Sequence, residues 1–238
     1  MTRVLVPLAV LEGETVSSGV VDSLSNAEVV LLGVHVVPEQ TPPGQARMSF
    51  EERAEDLLQE TATEFEDAGV TVETVLVFTH DRAETVARVA DERGCDAVVS
   101  NQSSHDSGKV LVPLLPTDLD GDEKLADTVF SLVEGRDVTV DVIVFAEDAD
   151  DARAECVVDI IVERGLTPDS AAYGSRATDT PVVSVGEEAV DYDLVVMRNE
   201  FSLVDLVLGD KPRRVAEASL TPVVGVLRES AEDISDTT

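Results

Sequence analysis

The sequence predicts an α/β protein with a mostly parallel β-sheet, and two observations support that prediction. Short apolar runs rich in valine and leucine, such as Val4–Leu8 and Val29–Val37, are typical of strands that are buried on both faces. Longer stretches with helical character separate these runs, so strands and helices alternate along the chain. This alternation favours parallel strands joined by crossover helices, with helices on both faces of the sheet.

A first copy of the pattern is predicted at residues 1–107. The Pro-Pro-Gly run at 42–44 predicts a loop, and Ser49 with Glu52 predicts the N-terminal capping box of the helix that follows. Gly69 predicts the end of that helix. The elements of the first copy are predicted, in chain order, at 4–8, 14–24, 28–37, 49–68, 70–78, 82–92 and 96–100.

A second copy is predicted at residues 108–238, because Arg3–Leu8 recurs almost unchanged as Lys109–Leu114. The first copy then lacks its last helix and strand. The alternative is that 109–114 closes the first domain and leaves the second without a first strand. The elements after 109–114 are predicted at 123–133, 138–146, 148–165 with its cap, 171–174, 182–190, 194–197, 213–219 and 222–227, before a polar, acidic tail.

The charge of the chain is strongly negative, with 49 acidic and 17 basic residues and a net charge of −32. Such a surface repels itself in dilute buffer, whereas at 1 M salt the Debye length falls to about 3 Å. An acidic, lysine-poor chain with ordinary apolar content is typical of adaptation to molar salt, and we expect a halophilic protein. The charge argues against partners that are nucleic acids or anionic membranes, because both need a basic face.

The sequence predicts no membrane insertion, since its longest apolar runs are strand-length and a span needs roughly 20 residues. The N-terminus enters a strand directly without the pattern of a signal peptide, and the two cysteines form no motif, so a cytoplasmic location is expected. Cys156 lies in an apolar helical stretch and is interpreted as a packing residue. Ser103, His105 and Asp106 lie together but lack a nucleophile elbow, so a solvated loop is expected rather than a hydrolase.

Several segments resemble the universal stress protein family. They are Arg3–Pro7, Ala27–Pro38 and Asp81–Ala90 in the first copy, and Asp193–Met197, Leu206–Asp210 and Arg214–Arg228 in the second. The resemblance implies two tandem flavodoxin-like or Rossmann-like domains, of the adenine nucleotide alpha hydrolase-like type, packed as an intrachain pseudo-dimer. The short first copy and acidic surface resemble haloarchaeal members, some of which are similar to cytosolic modules of amino-acid transporters.

The resemblance also implies a place where ATP binds in some members, and this sequence departs from it. Those members use an Asp two residues after the proline of the first strand, where this chain has Ala9 and Leu115. They also use a glycine-rich loop after the fourth strand, whose N–H groups approach phosphate. Here the loop is vestigial, and the residues predicted to remain at it are Arg198, Asn199, Gly209, Asp210 and Lys211.

We therefore expect no cofactor, disfavour ATP, and predict a regulatory or stress-response module that works without catalysis. Its expected partner is a protein, with a membrane transporter as one candidate. The alternative is a nucleotide-binding protein, a weak ATPase or ligand sensor, with a site rebuilt around Arg198–Lys211. A homodimer is a further hypothesis, because the final strand 222–227 would lack a counterpart in the first copy and leave an open edge.

Overall fold

Nine strands form one β-sheet in the computed structural model, which describes residues 1–100, 108–116, 121–198, 215–216, 219 and 221–227. All of these strands except the one at Ala171–Ala177 are rich in valine. β-Branched side chains suit these strands because they pack well on a pleated, buried surface. The strands are β1 (Arg3–Leu8), β2 (Glu28–Val36), β3 (Thr71–Thr79), β4 (Ala97–Ser100), β5 (Lys109–Leu114), β6 (Thr139–Ala146), β7 (Ala171–Ala177), β8 (Leu194–Arg198) and β9 (Val223–Val226).

Six helices connect the strands in the described part of the chain. They are α1 (Ser18–Ser23), α2 (Pro43–Asp67), α3 (Arg82–Glu92), α4 (Asp122–Val133), α5 (Ala152–Arg164) and α6 (Pro181–Glu188). Val215, Ala216 and Ser219 are also helical, in the region where the sequence predicts a last helix. Among the described residues, no helix has both the length and the hydropathy that crossing a bilayer requires.

The strand order is β3-β2-β1-β4-β9-β8-β5-β6-β7. We call β1–β4 with α1–α3 the first half, and β5–β9 with α4–α6 the second half. Both halves place their first strand beside their second and fourth, and all pairs within each half are parallel. These findings confirm the predicted α/β fold with a mostly parallel sheet.

Strand β9 joins the two halves. It is parallel to β8 and antiparallel to β4, with Val224 opposite Val99. The carboxyl ends of the strands in the two halves therefore lie at opposite edges of the sheet. Strand β5 pairs with β6 and β8. The final strand was predicted to have an open edge that could pair with a second chain. In the structure β4 pairs with that edge of β9, so the reason for predicting a homodimer was wrong.

The apolar core runs across this join on one face of the sheet. There, α1 and α2 of the first half and α4 and α5 of the second half cover a single cluster, to which β9 contributes Val224 and Val226. The other face carries two separate clusters, one under α3 and one under α6 with Val215 and Ala216. The halves thus share one core layer and each has a second layer of its own.

Helix α4 also links the halves by polar contacts at the amino ends of the first-half strands. Lys124 Nζ lies 3.8 Å from Asp96 Oδ1, beside β4. The N–H of Thr2 donates to Ser131 Oγ at 3.4 Å. Just beyond the helix, Asn26 donates to the Glu134 carbonyl at 2.6 Å. Because α4 begins at the carboxyl end of β5, it connects that end of the second half to the first half.

Two local predictions were wrong. Helix α2 begins at Pro43 rather than at Ser49, whose hydroxyl instead donates to the Gln45 carbonyl one turn earlier. Proline suits the first position of a helix, where the backbone N–H has no intrahelical acceptor, so the predicted loop is shorter. Cys156 was interpreted as a packing residue but is exposed, whereas Cys95 is buried.

Candidate functional site

Arg198 is a buried cation at the carboxyl end of the second half. It is the last residue of β8, which runs beside β5, and only 8% of its surface is exposed. Its Nη1 atom is buried and has no hydrogen-bond partner. Helix α4, after β5, and the helical residues 215–216, after β8, pack on opposite faces of the sheet. Open α/β sheets bind ligands where successive helices diverge in this way.

A second arginine and a carboxylate lie beside Arg198. Arg153, in the first turn of α5, donates to Asp122 Oδ1 at 2.7 Å and to Oδ2 at 3.1 Å. Its Nη1 donates to the Leu115 carbonyl just after β5, at 3.1 Å. Arg198 Nη1 lies 3.9 Å from Asp122 Oδ1, which is too far for a hydrogen bond. The carboxylate is therefore held by Arg153, and Arg198 interacts with it only at longer range.

The N-terminus of α4 lies against the same guanidinium. Gly121 precedes the helix with φ at 92° and, having no side chain, does not itself cap the first turn. A Cβ atom on Gly121 would come within 2.8 Å of Arg198 Nη2, so glycine lets the guanidinium approach the backbone. Helix N-termini carry partial positive charge. We call Arg198, Arg153, Asp122 and Gly121 the Arg198 site.

At the carboxyl end of β1, the corresponding position in the first half is occupied by side chains of that half. After β1 and a 3-10 turn, Glu14 folds back and accepts the Ala9 N–H through Oε2 at 2.6 Å. Arg82, at the start of α3, lies 3.3 Å from the same oxygen and donates to the Pro7 carbonyl at 3.3 Å. We call these residues the Glu14 site. Here a carboxylate already lies at the strand ends and pairs with the local arginine.

The structure describes one of the five predicted loop residues. Arg198 lies as given above, whereas Asn199, Gly209, Asp210 and Lys211 lie outside the described residues. The same is true of Ser103, His105 and Asp106. At the two positions compared with the family's Asp, the Ala9 N–H donates to Glu14 and the Leu115 carbonyl accepts from Arg153.

Sequence reasoning missed Glu14, Arg82, Arg153 and Asp122. No role in a site was predicted for any of them, and the partners are 68 and 31 positions apart in the chain. The available signal was the rarity of basic residues. The chain has 17 of them, so a basic residue near the end of a predicted strand stands out in so acidic a protein. Within the described residues, no group of three or more His, Cys, Asp or Glu side chains is arranged to hold a metal ion.

Comparison with known proteins supports the fold and relates part of the chain to a known family. Residues 3–112, somewhat under half of the sequence, match the model of the universal stress protein family. No curated protein matches the sequence. The match ends within β5, which in the structure pairs with β6 and β8 of the second half.

The folds of several solved structures resemble the whole chain, among them the following two. A universal stress protein from Archaeoglobus fulgidus DSM 4304 matches with a TM-score of 0.63 and 17% identity, covering 96% of this chain and 97% of that one. The cytoplasmic domain of a prokaryotic cation chloride cotransporter matches with a TM-score of 0.52 and 14% identity, covering 98% and 99%. At these identities the likeness shows a shared fold.

Proposed function

We propose that this protein is a stress-response or regulatory module of the universal stress protein type, which acts through contacts with another protein and without catalysis. The match over residues 3–112 supports the general class. The proposal extends it to a tandem, salt-adapted form with domains at 1–107 and 108–238, located in the cytoplasm. The net charge of −32 supports the salt adaptation.

The Glu14 site is the observation that carries the non-catalytic part of this proposal. A nucleotide phosphate at the carboxyl end of β1 would have to displace the Glu14 carboxylate from the Ala9 N–H and from Arg82. It would also bring its own negative charge against that carboxylate. Together with Ala9 at the position of the family's Asp, this arrangement favours a degenerate nucleotide site in the first half.

A membrane transporter is the partner class that we propose. The similarity in fold to the cytoplasmic domain of a cation chloride cotransporter supports this choice, because that domain is part of a transporter. Crosslinking in intact cells tests it, with identification of the proteins joined to this chain. If every crosslinked partner is a soluble protein, the transporter is removed from the proposal.

Calorimetric titration of ATP with Mg²⁺ into the protein in molar KCl tests the absence of a nucleotide site. We expect no saturable heat. Titration of the Glu14→Ala variant under the same conditions is the matched control, because it shows whether the internal carboxylate is what excludes the nucleotide. Saturable binding to the unmodified protein, followed by release of phosphate, would contradict the proposal.

The second candidate function is nucleotide or ligand binding at a site rebuilt around Arg198–Lys211. One observation favours it, namely the buried Arg198 guanidinium with an unpartnered Nη1. On this hypothesis, the ATP titration gives saturable heat that the Arg198→Gln variant loses. Heat that persists unchanged in this variant would place the nucleotide elsewhere and reject this candidate.

A further inference from the structure

Strand β3 lies at one end of the sheet, and no other strand among the described residues pairs with its outer edge. It has nine residues and pairs with β2 alone, in parallel register from Thr71 to Thr79. The edge of a sheet presents a row of unpaired N–H and C=O groups to which another chain can add. Natural proteins usually protect such an edge with charge, proline or a covering element.

Strand β3 carries little of this protection. It contains no proline, glycine or lysine, and its single charged residue is Glu73. The Glu73 carboxylate accepts a hydrogen bond from Arg3 at 2.5 Å and also pairs with Arg93, so its charge is met within the molecule. Four consecutive apolar side chains of β3 are only partly buried, namely Val75, Leu76, Val77 and Phe78. A strand added at this edge would cover them.

The strand at the opposite end of the sheet, β7, is less suited to pairing. Its seven residues include Gly174, which weakens a strand, and the exposed Arg176, which lies 3.3 Å from Glu188. Its one large apolar side chain, Tyr173, donates to Glu155 of α5 at 3.3 Å. The two ends of the sheet therefore differ, and β3 is the end at which an added strand would bury apolar surface.

A groove with an acidic rim lies between β3 and α2. Its volume is about 390 Å³, and both elements line it, through Glu55, Asp56, Leu58, Gln59, Thr74 and Leu76. Glu55 and Asp56 are exposed. A strand added to β3 would place every second side chain over this groove, where the two carboxylates favour lysine or arginine. Its remaining side chains would lie on the other face, beside Val75 and Val77, which favours apolar residues.

A second copy of this chain fits the edge less well. A two-fold symmetric pair joined through β3 brings the same surface of each copy together. Glu55 and Asp56 of one copy would then face Glu55 and Asp56 of the other, and like charges placed in this way repel each other. The net charge of −32 on each chain adds to this repulsion. Charge complementarity therefore favours a basic partner.

We infer that the outer edge of β3 binds an extended, basic segment of another protein, which adds to the sheet as a strand and places lysine or arginine beside Glu55 and Asp56. The inference rests on the proposed function, because it gives the chemistry of the protein partner. In strand addition, main-chain hydrogen bonds supply affinity and alternate side chains supply specificity. A segment of nine residues matches the length of β3.

A labelled peptide of this length, in which lysine and valine alternate, is the probe, and fluorescence anisotropy in molar KCl measures its binding. We expect saturable binding to the intact protein. Affinity should be about tenfold weaker in Glu55→Lys/Asp56→Lys, since attraction becomes repulsion. The matched control is Glu155→Lys/Asp159→Lys, which makes the same change in net charge on α5, beside the opposite edge. We expect the control variant to bind the peptide as the wild type does.

Two further peptides separate strand addition from attraction between opposite charges. A peptide N-methylated at every residue keeps its lysines but has no backbone N–H to donate, so we expect it not to bind. A peptide with threonine in place of lysine keeps the backbone donors, and we expect it to bind about tenfold more weakly than the probe. Circular dichroism establishes that each protein variant is folded. Equal affinity of either peptide and the probe overturns the inference.

Hydrogen exchange locates the bound peptide on the protein. We expect slower exchange at the amides of β3 that point away from β2, and no change at β7. Absence of peptide binding, equal binding to Glu55→Lys/Asp56→Lys and wild type, or protection at β7 instead of β3 overturns the inference. Protection of β3 that rises with protein concentration in the absence of peptide assigns the edge to a second copy and also overturns it.

Crosslinking in intact cells distinguishes failure of this inference from failure of the proposed function. Protein partners that are lost in Glu55→Lys/Asp56→Lys and kept in Glu155→Lys/Asp159→Lys support both. Partners kept in both variants overturn the inference and leave the proposed function standing. A wild-type chain that crosslinks to no protein contradicts the proposed function, whereas the peptide titration decides the inference independently.

Discussion

The two halves of this protein repeat one strand order but differ in how arginines and carboxylates pair at the carboxyl ends of their strands. In the first half, the Glu14 carboxylate pairs with Arg82 and accepts the Ala9 N–H. In the second half, the carboxylate of Asp122 is held by Arg153, and Arg198 remains buried without a partner at Nη1. Fold alone does not determine what a site does, and here the same topology gives one end whose arginine bonds a carboxylate and one whose arginine keeps an unbonded Nη1.

The antiparallel pairing of β4 with β9 separates the two sites in space. It turns the halves so that the Glu14 site and the Arg198 site lie at opposite edges of the sheet. Helix α4 begins at the Arg198 site and contacts the first half through Lys124 and Asp96. The charged end of the second half is therefore physically connected to the first half, although the two sites themselves are remote from each other.

The largest expected effect is the loss of the whole fold when salt is removed. Going from about 3 M to about 0.05 M KCl lengthens the Debye length several-fold and exposes the chain to its own repulsion. Because Val224 and Val226 lie in a core layer shared by both halves, we expect both to unfold together. Circular dichroism measures the total loss, and hydrogen exchange compares β2 with β6.

An unchanged circular dichroism spectrum over this range would reject the halophilic hypothesis. A hydrogen-exchange result in which one half loses protection at a higher salt concentration than the other would break the shared-core interpretation. Potassium chloride restored to the unfolded sample is the control for irreversible aggregation, which would otherwise imitate cooperative loss of structure.

A pair of substitutions sharpens the comparison of the two strand ends directly. Glu14→Ala leaves the Ala9 N–H without its acceptor and leaves Arg82 with the Pro7 carbonyl alone, so we expect the free energy of unfolding to fall by about 1–3 kcal/mol. Arg198→Met removes a buried charge and keeps an apolar stem, so we expect no change or an increase of up to about 3 kcal/mol. Urea denaturation in molar KCl measures both.

Arg88→Met is the control for losing a guanidinium from the surface. Arg88 pairs with Glu92 one turn along the exposed side of α3, and such pairs contribute less than about 1 kcal/mol. If Arg198→Met were destabilised as strongly as Glu14→Ala, Arg198 would have to be paired in the protein, and the contrast between the two ends would disappear.

Much of the fold could be predicted from the sequence, because strands buried on both faces have a strong local signature. All nine predicted strands occur near their predicted positions, as does α3. In the structure, the Asp81 side chain caps α3 by accepting the Glu84 N–H. The start of α2 was missed because Pro43 fits a helix start as well as it fits a loop.

The sites were harder to predict because they depend on contacts between distant residues. Arg198 was named from its place after β8, but its burial and missing partner emerge only when β5, β8 and α4 meet. The pairing of β9 with β4 was also missed. A sequence pattern specifies that a strand exists and which residues are buried, but it does not specify which edge the strand joins.

The smallest expected effect concerns the two thiols, one in each half. Cys95 is buried and Cys156 is exposed, so we expect iodoacetamide to modify Cys156 in the folded protein and Cys95 only when the first half opens. Mass spectrometry after timed labelling measures the two rates. Equal rates in molar KCl would mean that the first half opens readily and is less stable than its shared core implies.

The Cys95 thiol makes the stability of the protein depend on pH, and the sign of this dependence follows from its burial. Burial raises the pKa of Cys95 from 9.0 to about 11, because the thiolate is poorly solvated there. The unfolded chain thus loses this proton near pH 9 while the folded chain keeps it, so stability is complete below pH 9 and falls as the pH rises towards 11. Urea denaturation of wild type and Cys95→Ala across this range isolates the effect. The difference in unfolding free energy between the two should shrink as the pH rises, and a constant difference would show that Cys95 titrates alike in both states.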